Sequence, residues 1–114
     1  MNNKIFYLFF IFLILIFLIS NVFLTISHEQ AHHQINTIFE CNSSYIEYSY
    51  LFSKGSTISD CSNLDINQKI ELNKLHSLNE IFTYNIRIVV NVFLLLFIFS
   101  FFILYYFLSV LHKK

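Results

Sequence analysis

The sequence predicts a mainly α-helical membrane protein, an antiparallel hairpin of two transmembrane helices that extend outside the membrane, with a small disulfide-closed β-hairpin between them. Two charge-free apolar blocks, each longer than the roughly 20 residues that cross a bilayer, predict the helices. The stretch between the blocks holds both cysteines, the only glycine and a run of aromatic and β-branched residues. At 114 residues, the chain is expected to form one such unit.

The two apolar blocks divide the chain. Residues 1–4 form a short tail, residues 5–27 the first transmembrane helix, residues 28–87 the segment between the helices, residues 88–111 the second transmembrane helix and residues 112–114 a second tail. The first block is longer than the apolar region of about 7–15 residues in a cleaved signal peptide, and no small-residue cleavage site follows it. We therefore expect an uncleaved anchor.

The distribution of charge predicts the orientation in the bilayer, which is the expected partner of the chain. The two tails carry three lysines and no acid, whereas residues 28–87 hold all seven acidic residues and four basic ones. By the positive-inside rule, both termini are expected in the cytoplasm and residues 28–87 outside it. No nucleic acid is expected among the partners.

Cys41 and Cys61 both lie in the segment between the helices. Outside the cytoplasm they are expected to form a disulfide, to which loop entropy assigns ~3 kcal/mol of stability. The alternative is a pair of free thiols in a cytosolic loop.

The same segment shows the pattern of a helix, a hairpin and a second helix. Nothing between Ser27 and Phe39 breaks a helix, so the first helix is expected to continue outward. A β-hairpin is expected across residues 44–60, with Gly55 in its turn.

The second helix is expected to begin at Asn63 or Asp65 as N-cap and to run unbroken into the second apolar block. Its outer part carries apolar residues at helical spacing, namely Ile66, Ile70, Leu72, Leu75, Leu78, Ile81 and Phe82.

A metal-binding pattern begins where the first apolar block ends, at His28-Glu29-Gln30-Ala31-His32. Histidines four residues apart lie on one face of a helix, so His28 and His32 can bind the same metal ion. Glu29 is placed to take a proton from water without binding the metal. The string fits the H-E-x-x-H pattern of zinc hydrolases, and Zn²⁺ is the expected cofactor.

The second helix carries His76, Glu80 and Tyr84 at steps of four residues, followed by Arg87. An antiparallel hairpin brings Glu80 to the height of the two motif histidines, and three such ligands leave a fourth position for water. For His76 three roles remain open: a fourth ligand, a support for another ligand, or a donor to a developing oxyanion. Tyr84 is either such a donor or an interfacial tyrosine, and Arg87 is expected to snorkel at the interface.

The strings "HEQAH" and "LNEIFTY" together resemble the gluzincin pattern of thermolysin-like peptidases and alanyl-aminopeptidases. The resemblance implies that His28, His32 and Glu80 bind zinc and that Glu29 is the general base. It also implies an edge strand that binds substrate backbone, for which residues 45–52 are the candidate. The gap between the motif and Glu80 is longer than in those families, and the arrangement as a whole resembles small uncharacterised two-span membrane proteins with an HExxH helix.

Two functions follow from these patterns. One is a membrane-anchored zinc metallopeptidase or hydrolase with a peptide substrate. The alternative is a non-enzymatic small membrane subunit or scaffold, in which the cluster binds metal structurally or clamps the helices. An exterior segment of about 60 residues builds little of a cleft, which favours the alternative, or an enzyme that works as a homo-oligomer or within a larger membrane complex. His33 is expected to be solvated, and His112 to lie in the tail.

Overall fold

The computed structural model describes residues 3–49 and 54–111. The elements in chain order are α1 (Asn3–Ile38), β1 (Ser43–Tyr48), β2 (Gly55–Asp60) and α2 (Ile66–Leu111). Both helices are long and apolar enough to cross a membrane, and the most apolar window of each has a mean hydropathy of 2.8. The expected pair of long helices with a small β-hairpin between them is confirmed, while His112 and residues 50–53 lie outside the described residues.

A Schellman motif ends α1 and turns the chain into the hairpin. The amide of Cys41 donates to the carbonyl of Asn36 at 3.1 Å, and the amide of Glu40 donates to that of Thr37 at 3.0 Å. Glu40 adopts the left-handed conformation this motif requires, with φ of 55°. The helix therefore extends well beyond the apolar block, as predicted.

The hairpin pairs β1 and β2 antiparallel, from Ser43 opposite Asp60 to Tyr48 opposite Gly55. A disulfide joins Cys41 to Cys61 immediately outside this ladder, with 4.4 Å between their Cα atoms. The predicted hairpin and disulfide are thus confirmed. Gly55, however, is the first residue of β2 rather than a turn residue, and its φ is not positive.

A capping box begins α2. The amide of Gln68 donates to Oδ1 of Asp65 at 2.8 Å, and the amide of Asp65 donates to Oε1 of Gln68 at 3.0 Å. Of the two predicted N-caps, Asp65 is therefore the correct one. Asn63 instead donates its side-chain amide to the carbonyl of Glu40 at 2.9 Å, which ties the start of α2 to the end of α1.

The outer half of α2 turns polar rather than apolar residues toward α1. Within the predicted apolar stripe only Leu72 is buried, whereas Leu78 is 60% exposed and Phe82 is 65% exposed. Glu29 and Asn36 are buried polar residues of α1, with 6% and 1% exposure. The contact between the helices in this region is therefore made largely by hydrogen-bonding groups.

These groups form a continuous row between the helices, the polar seam. Each step of three or four residues forward along α1 is matched by a similar step backward along α2, as antiparallel helices require. Asn21 donates to Asn91 at 3.2 Å, and Nη2 of Arg87 donates to Oγ1 of Thr25 at 3.2 Å. The seam consists of Asn21, Thr25, His28, His32 and Asn36 on α1 and of His76, Glu80, Thr83, Arg87 and Asn91 on α2.

Aromatic stacking holds the opposite ends of the two helices together. The ring of Phe6 lies 4.0 Å from that of Tyr105 and 5.7 Å from that of Phe101, while Phe9 lies 4.3 Å from Phe101. Such ring pairs contribute about 0.5–1.5 kcal/mol beyond their burial. The helices are therefore in contact at both ends, which keeps the polar seam in register.

Candidate metal centre

Three potential ligand atoms converge between the helices. Nε2 of His28 and Nε2 of His32 are 3.2 Å apart, and Oε1 of Glu80 lies 3.4 Å from the first and 3.2 Å from the second. These three atoms are called the ligand triangle below. The histidines are half-buried and Glu80 is exposed, so the triangle is open to solvent on one side. The structure thus brings together the three residues expected to bind metal.

The size of the ligand triangle fits a tetrahedral zinc site. Ligands about 2.0–2.1 Å from a zinc ion at the centre of a tetrahedron are separated from one another by about 3.3–3.4 Å. The three observed separations of 3.2, 3.2 and 3.4 Å lie close to that spacing. An ion bound equally to all three atoms would have its fourth position free.

A chain of hydrogen bonds on α1 and α2 sets the tautomer of His32. Nε2–H of His76 donates to Oδ1 of Asn36 at 2.9 Å, which leaves Nδ1 of His76 as an acceptor. Nδ1 of His76 lies 2.6 Å from Nδ1 of His32, so His32 carries its proton on Nδ1. The lone pair of His32 is therefore on Nε2, the atom in the ligand triangle.

His28 is held in place from the other side by residues of α2. Its Nδ1 lies 3.1 Å from Oγ1 of Thr83 and 3.3 Å from Nδ2 of Asn79. The side-chain amide of Asn79 is also 3.4 Å from the carbonyl of His28, to which it can donate. These contacts fix the ring of His28 with its Nε2 in the ligand triangle.

The electrostatics of the ligand triangle favour a cation. With His32 protonated on Nδ1, its Nε2 and Oε1 of Glu80 are both lone-pair acceptors, and they lie 3.2 Å apart. Acceptors at that separation repel unless a proton or a metal ion lies between them. Partial burial and the neighbouring His32 lower the pKa of His76, while Glu80 raises it less, and the neutral form is the one that His32 requires as acceptor.

His76 lies behind His32 rather than in the ligand triangle. Its two ring nitrogens contact His32 and Asn36. Of the three roles left open by the sequence, this geometry favours the support of a ligand, since metal-bound histidines commonly donate their second N–H to a neighbouring acceptor.

Glu29 lies beside the ligand triangle and under β2. It lines a cavity of about 400 Å³ together with His28, His32 and Glu80. The hydroxyl of Thr57 donates to its Oε2 at 2.7 Å, and within the described residues Oε1 accepts no hydrogen bond. Glu29 is therefore a buried carboxylate, held by one oxygen at the wall of the metal cavity.

Gly55 makes room for Glu29. A Cβ at this position would lie 2.9 Å from Cδ and 3.1 Å from Oε1 of Glu29. We expect Gly55→Ala to displace the Glu29 carboxylate and to lower any hydrolytic rate at least tenfold, while zinc content stays at the unmodified level because Gly55 touches no ligand. Ile58→Ala, in the same strand but outside the lining of this cavity, is the control, and an unchanged rate in Gly55→Ala would contradict this account.

The open edge of β2 lines the same cavity. The amide of Ser49 donates to the carbonyl of Lys54 at 2.9 Å, so these two residues form a hydrogen-bonded pair. Along an antiparallel hairpin such pairs alternate with pairs that do not hydrogen-bond each other, and Gly55, Thr57 and Ser59 belong to the second kind. The backbone groups of Gly55, Thr57 and Ser59 consequently point away from β1, and all three residues line the cavity. β2, rather than the expected strand at residues 45–52, is thus the strand beside the ligand triangle.

The remaining predicted residues lie around this centre. Tyr84 is 68% exposed and shares a small cavity with Glu80 and Arg87. Arg87 hydrogen-bonds α1 through Thr25, and the snorkelling expected of it stays a prediction. His33 contacts the hairpin through Oγ of Ser44 at 2.8 Å.

Comparisons with protein-family models, curated proteins and solved structures give no match for this chain. Sequence reasoning missed three residues that hold the ligands, Asn36, Asn79 and Thr83. The signal for Asn36 was present, because it lies four residues after His32 and therefore on the same face of the helix. Asn79 and Thr83 follow the same spacing on α2, one helical turn apart and next to Glu80.

Proposed function

We propose that this chain is an integral membrane protein with two spans, both termini in the cytoplasm, and that its exterior part is a zinc-dependent peptidase or related hydrolase. The charge asymmetry and the two apolar helices support the membrane part of the proposal. The ligand triangle supports the zinc part. Its resemblance to the gluzincin pattern supports the assignment of roles to its residues.

The single observation that carries the proposal is the convergence of His28, His32 and Glu80, with Nε2 of both histidines and Oε1 of Glu80 close enough together to bind one ion. Two histidines and a glutamate, with a fourth position left free, are the ligand set of catalytic rather than structural zinc. A bound zinc ion would supply a Lewis acid and a water molecule of lowered pKa.

Two parts of the protein at the cavity wall would take part in hydrolysis, the Glu29 carboxylate and the edge of β2. Glu29 is held by Thr57 through one oxygen, so Oε1 remains to take a proton from water and return it to a leaving amine. The open edge of β2 offers backbone donors and acceptors to an extended peptide. Both groups border the ligand triangle, as hydrolysis of a bound peptide requires.

A non-enzymatic clamp is the second candidate, and the polar seam favours it. Hydrogen bonds between helices, such as that from Asn21 to Asn91, hold α1 and α2 together whether or not a reaction occurs. A clamp makes no use of a buried carboxylate at the wall of the cavity. Glu29 is therefore the residue that separates the two candidates.

The proposal is tested by metal analysis of the full chain, purified in detergent without chelator. We expect about one zinc ion per chain, lost in His28→Ala and in Glu80→Ala because each removes one of three ligands. His33→Ala, which removes a histidine outside the ligand triangle, is the matched control and should keep its zinc. Peptide hydrolysis should stop on chelation and return with zinc, and a zinc-free unmodified protein would contradict the proposal.

A further inference from the structure

Arg87 is a cation at the edge of the ligand triangle, and it shares a cavity with two of the three ligands. Its Nη2 donates to Thr25, whereas its Nε is buried and has no hydrogen-bond partner in the described part of the chain. Among the described residues, no carboxylate lies within 4 Å of its guanidinium group. An arginine that has no carboxylate partner and lies beside metal ligands is available to bind an anion.

Arg87 lines a cavity that adjoins the ligand triangle. This cavity, of about 100 Å³, is bordered by the ligands His28 and Glu80 and by Thr83, Tyr84 and Arg87. It lies on the side of the triangle away from Asn36 and His76, toward the apolar half of α2. An anion that enters it would lie between Arg87 and the metal ligands.

The net charge around the ligand triangle also favours an anion in this cavity. A divalent metal ion would be balanced by the carboxylates of Glu29 and Glu80, and histidines that bind a metal ion are neutral. With Arg87 included, the net charge of the centre is one positive charge, which a single anionic group of the substrate would balance.

The two sides of the ligand triangle differ in size. On the side of β2 the cavity measures about 400 Å³ and is bordered by an open strand edge. On the side of Arg87 the cavity measures about 100 Å³. A peptide that crosses the triangle therefore has more room on the side of β2 than on the side of Arg87.

We propose that the anion is the terminal carboxylate of a peptide, bound by Arg87, and that the enzyme removes residues from the C-terminal end of its substrate. This inference rests on the proposed hydrolase function and names its substrate class. Water adds its oxygen to the last peptide carbonyl carbon, the C–N bond breaks, and the nitrogen leaves with a proton passed on by Glu29. The products are a shortened peptide with a new carboxylate and a free amino acid.

A peptide carboxylate fits the geometry better than a lipid phosphate does. Arg87 is turned inward to Thr25 and into a cavity that it shares with two metal ligands. A headgroup bound from the lipid side would favour an arginine extended outward along the helix surface. Guanidinium groups bind carboxylates through paired N–H donors, and Arg87 brings such a group to the wall of this cavity.

The test compares a short N-acetylated peptide carrying a free C-terminal carboxylate with its C-terminal amide. Binding is measured by calorimetry on zinc-loaded Glu29→Gln protein in neutral detergent, so that no turnover interferes. We expect the free acid to bind at least tenfold more tightly, because an ionised acceptor strengthens its hydrogen bonds to a guanidinium group. Arg87→Met in the same background should bring the two peptides to equal affinity, and Lys74→Gln, which removes a cation elsewhere on α2, should leave the preference intact.

Equal binding of the acid and the amide by the protein that retains Arg87 would overturn the inference without any reference to how the Arg87 variant folds. If zinc-dependent hydrolysis were still present, the proposed function would survive alone, as an enzyme that cuts within chains. A third outcome, in which phosphatidylglycerol added to the detergent abolishes the preference for the acid, would assign Arg87 to lipid phosphate and also overturn the inference. Absence of bound zinc would overturn both proposals.

Discussion

The Glu29→Gln variant is expected to hydrolyse peptides about 10²–10⁴-fold more slowly than the unmodified protein, because a general base typically contributes that factor. Glutamine keeps the size of the side chain and can accept the hydrogen bond from Thr57, which reaches Oε2 at 2.7 Å. It cannot take a proton from water. The measurement is kcat/KM on a peptide substrate, with zinc content determined on the same sample.

The zinc content of Glu29→Gln should equal that of the unmodified protein, because Glu29 is not part of the ligand triangle. Glu71→Gln, on the exposed surface of α2, is the matched control and should change neither quantity. Zinc lost together with activity would mean that Glu29 is a ligand or supports the fold. Full activity in Glu29→Gln would leave the helix clamp as the better account of the cluster.

Replacing His76 with phenylalanine is expected to weaken zinc binding about 10–100-fold, the usual effect of removing a group that supports a metal ligand. The change deletes the acceptor 2.6 Å from Nδ1 of His32 and leaves the proton there without a partner. His32 would then lose both its fixed tautomer and its orientation. Competition with a chromophoric chelator measures the dissociation constant.

His33→Phe is the control for this variant, since it removes a neighbouring histidine of α1 that contacts the hairpin and not the ligand triangle. A loss of affinity as large as that in His28→Ala would indicate that His76 binds the metal directly. An unchanged affinity would indicate that the hydrogen bond from His32 has no role in binding. Only the intermediate result fits a residue that acts through His32.

Local patterns predicted most of the fold because they depend on near neighbours in the chain. The length of the apolar blocks predicted two helices, and the Asp65 side chain caps α2 as an N-cap should. The pair of cysteines predicted the disulfide that closes the hairpin. The position of Gly55 in β2 was not predicted, because its need for space arises from Glu29, a residue distant in sequence.

The polar residues of α2 predicted the side that faces α1, whereas its apolar stripe did not, and the cause lies in composition. When a helix has apolar residues on most of its surface, an apolar stripe does not identify the side that meets its neighbour. Leu78 and Phe82 belong to the stripe and are exposed, while Glu80 and Thr83 lie toward α1. In such a helix the rarer polar residues at helical spacing are the better guide.

The polar seam also limits which changes of chain length the protein can accept. One residue inserted into a helix rotates everything beyond it by about 100° and shifts it by about 1.5 Å. An insertion in α1 between Thr25 and His28 would keep Thr25 opposite Arg87 but turn His28 away from Thr83, so no single shift of the helices restores both contacts. Insertions and deletions are therefore not expected in the parts of α1 and α2 that form the polar seam. Related chains are expected to vary in length in the tails and at the tip of the hairpin.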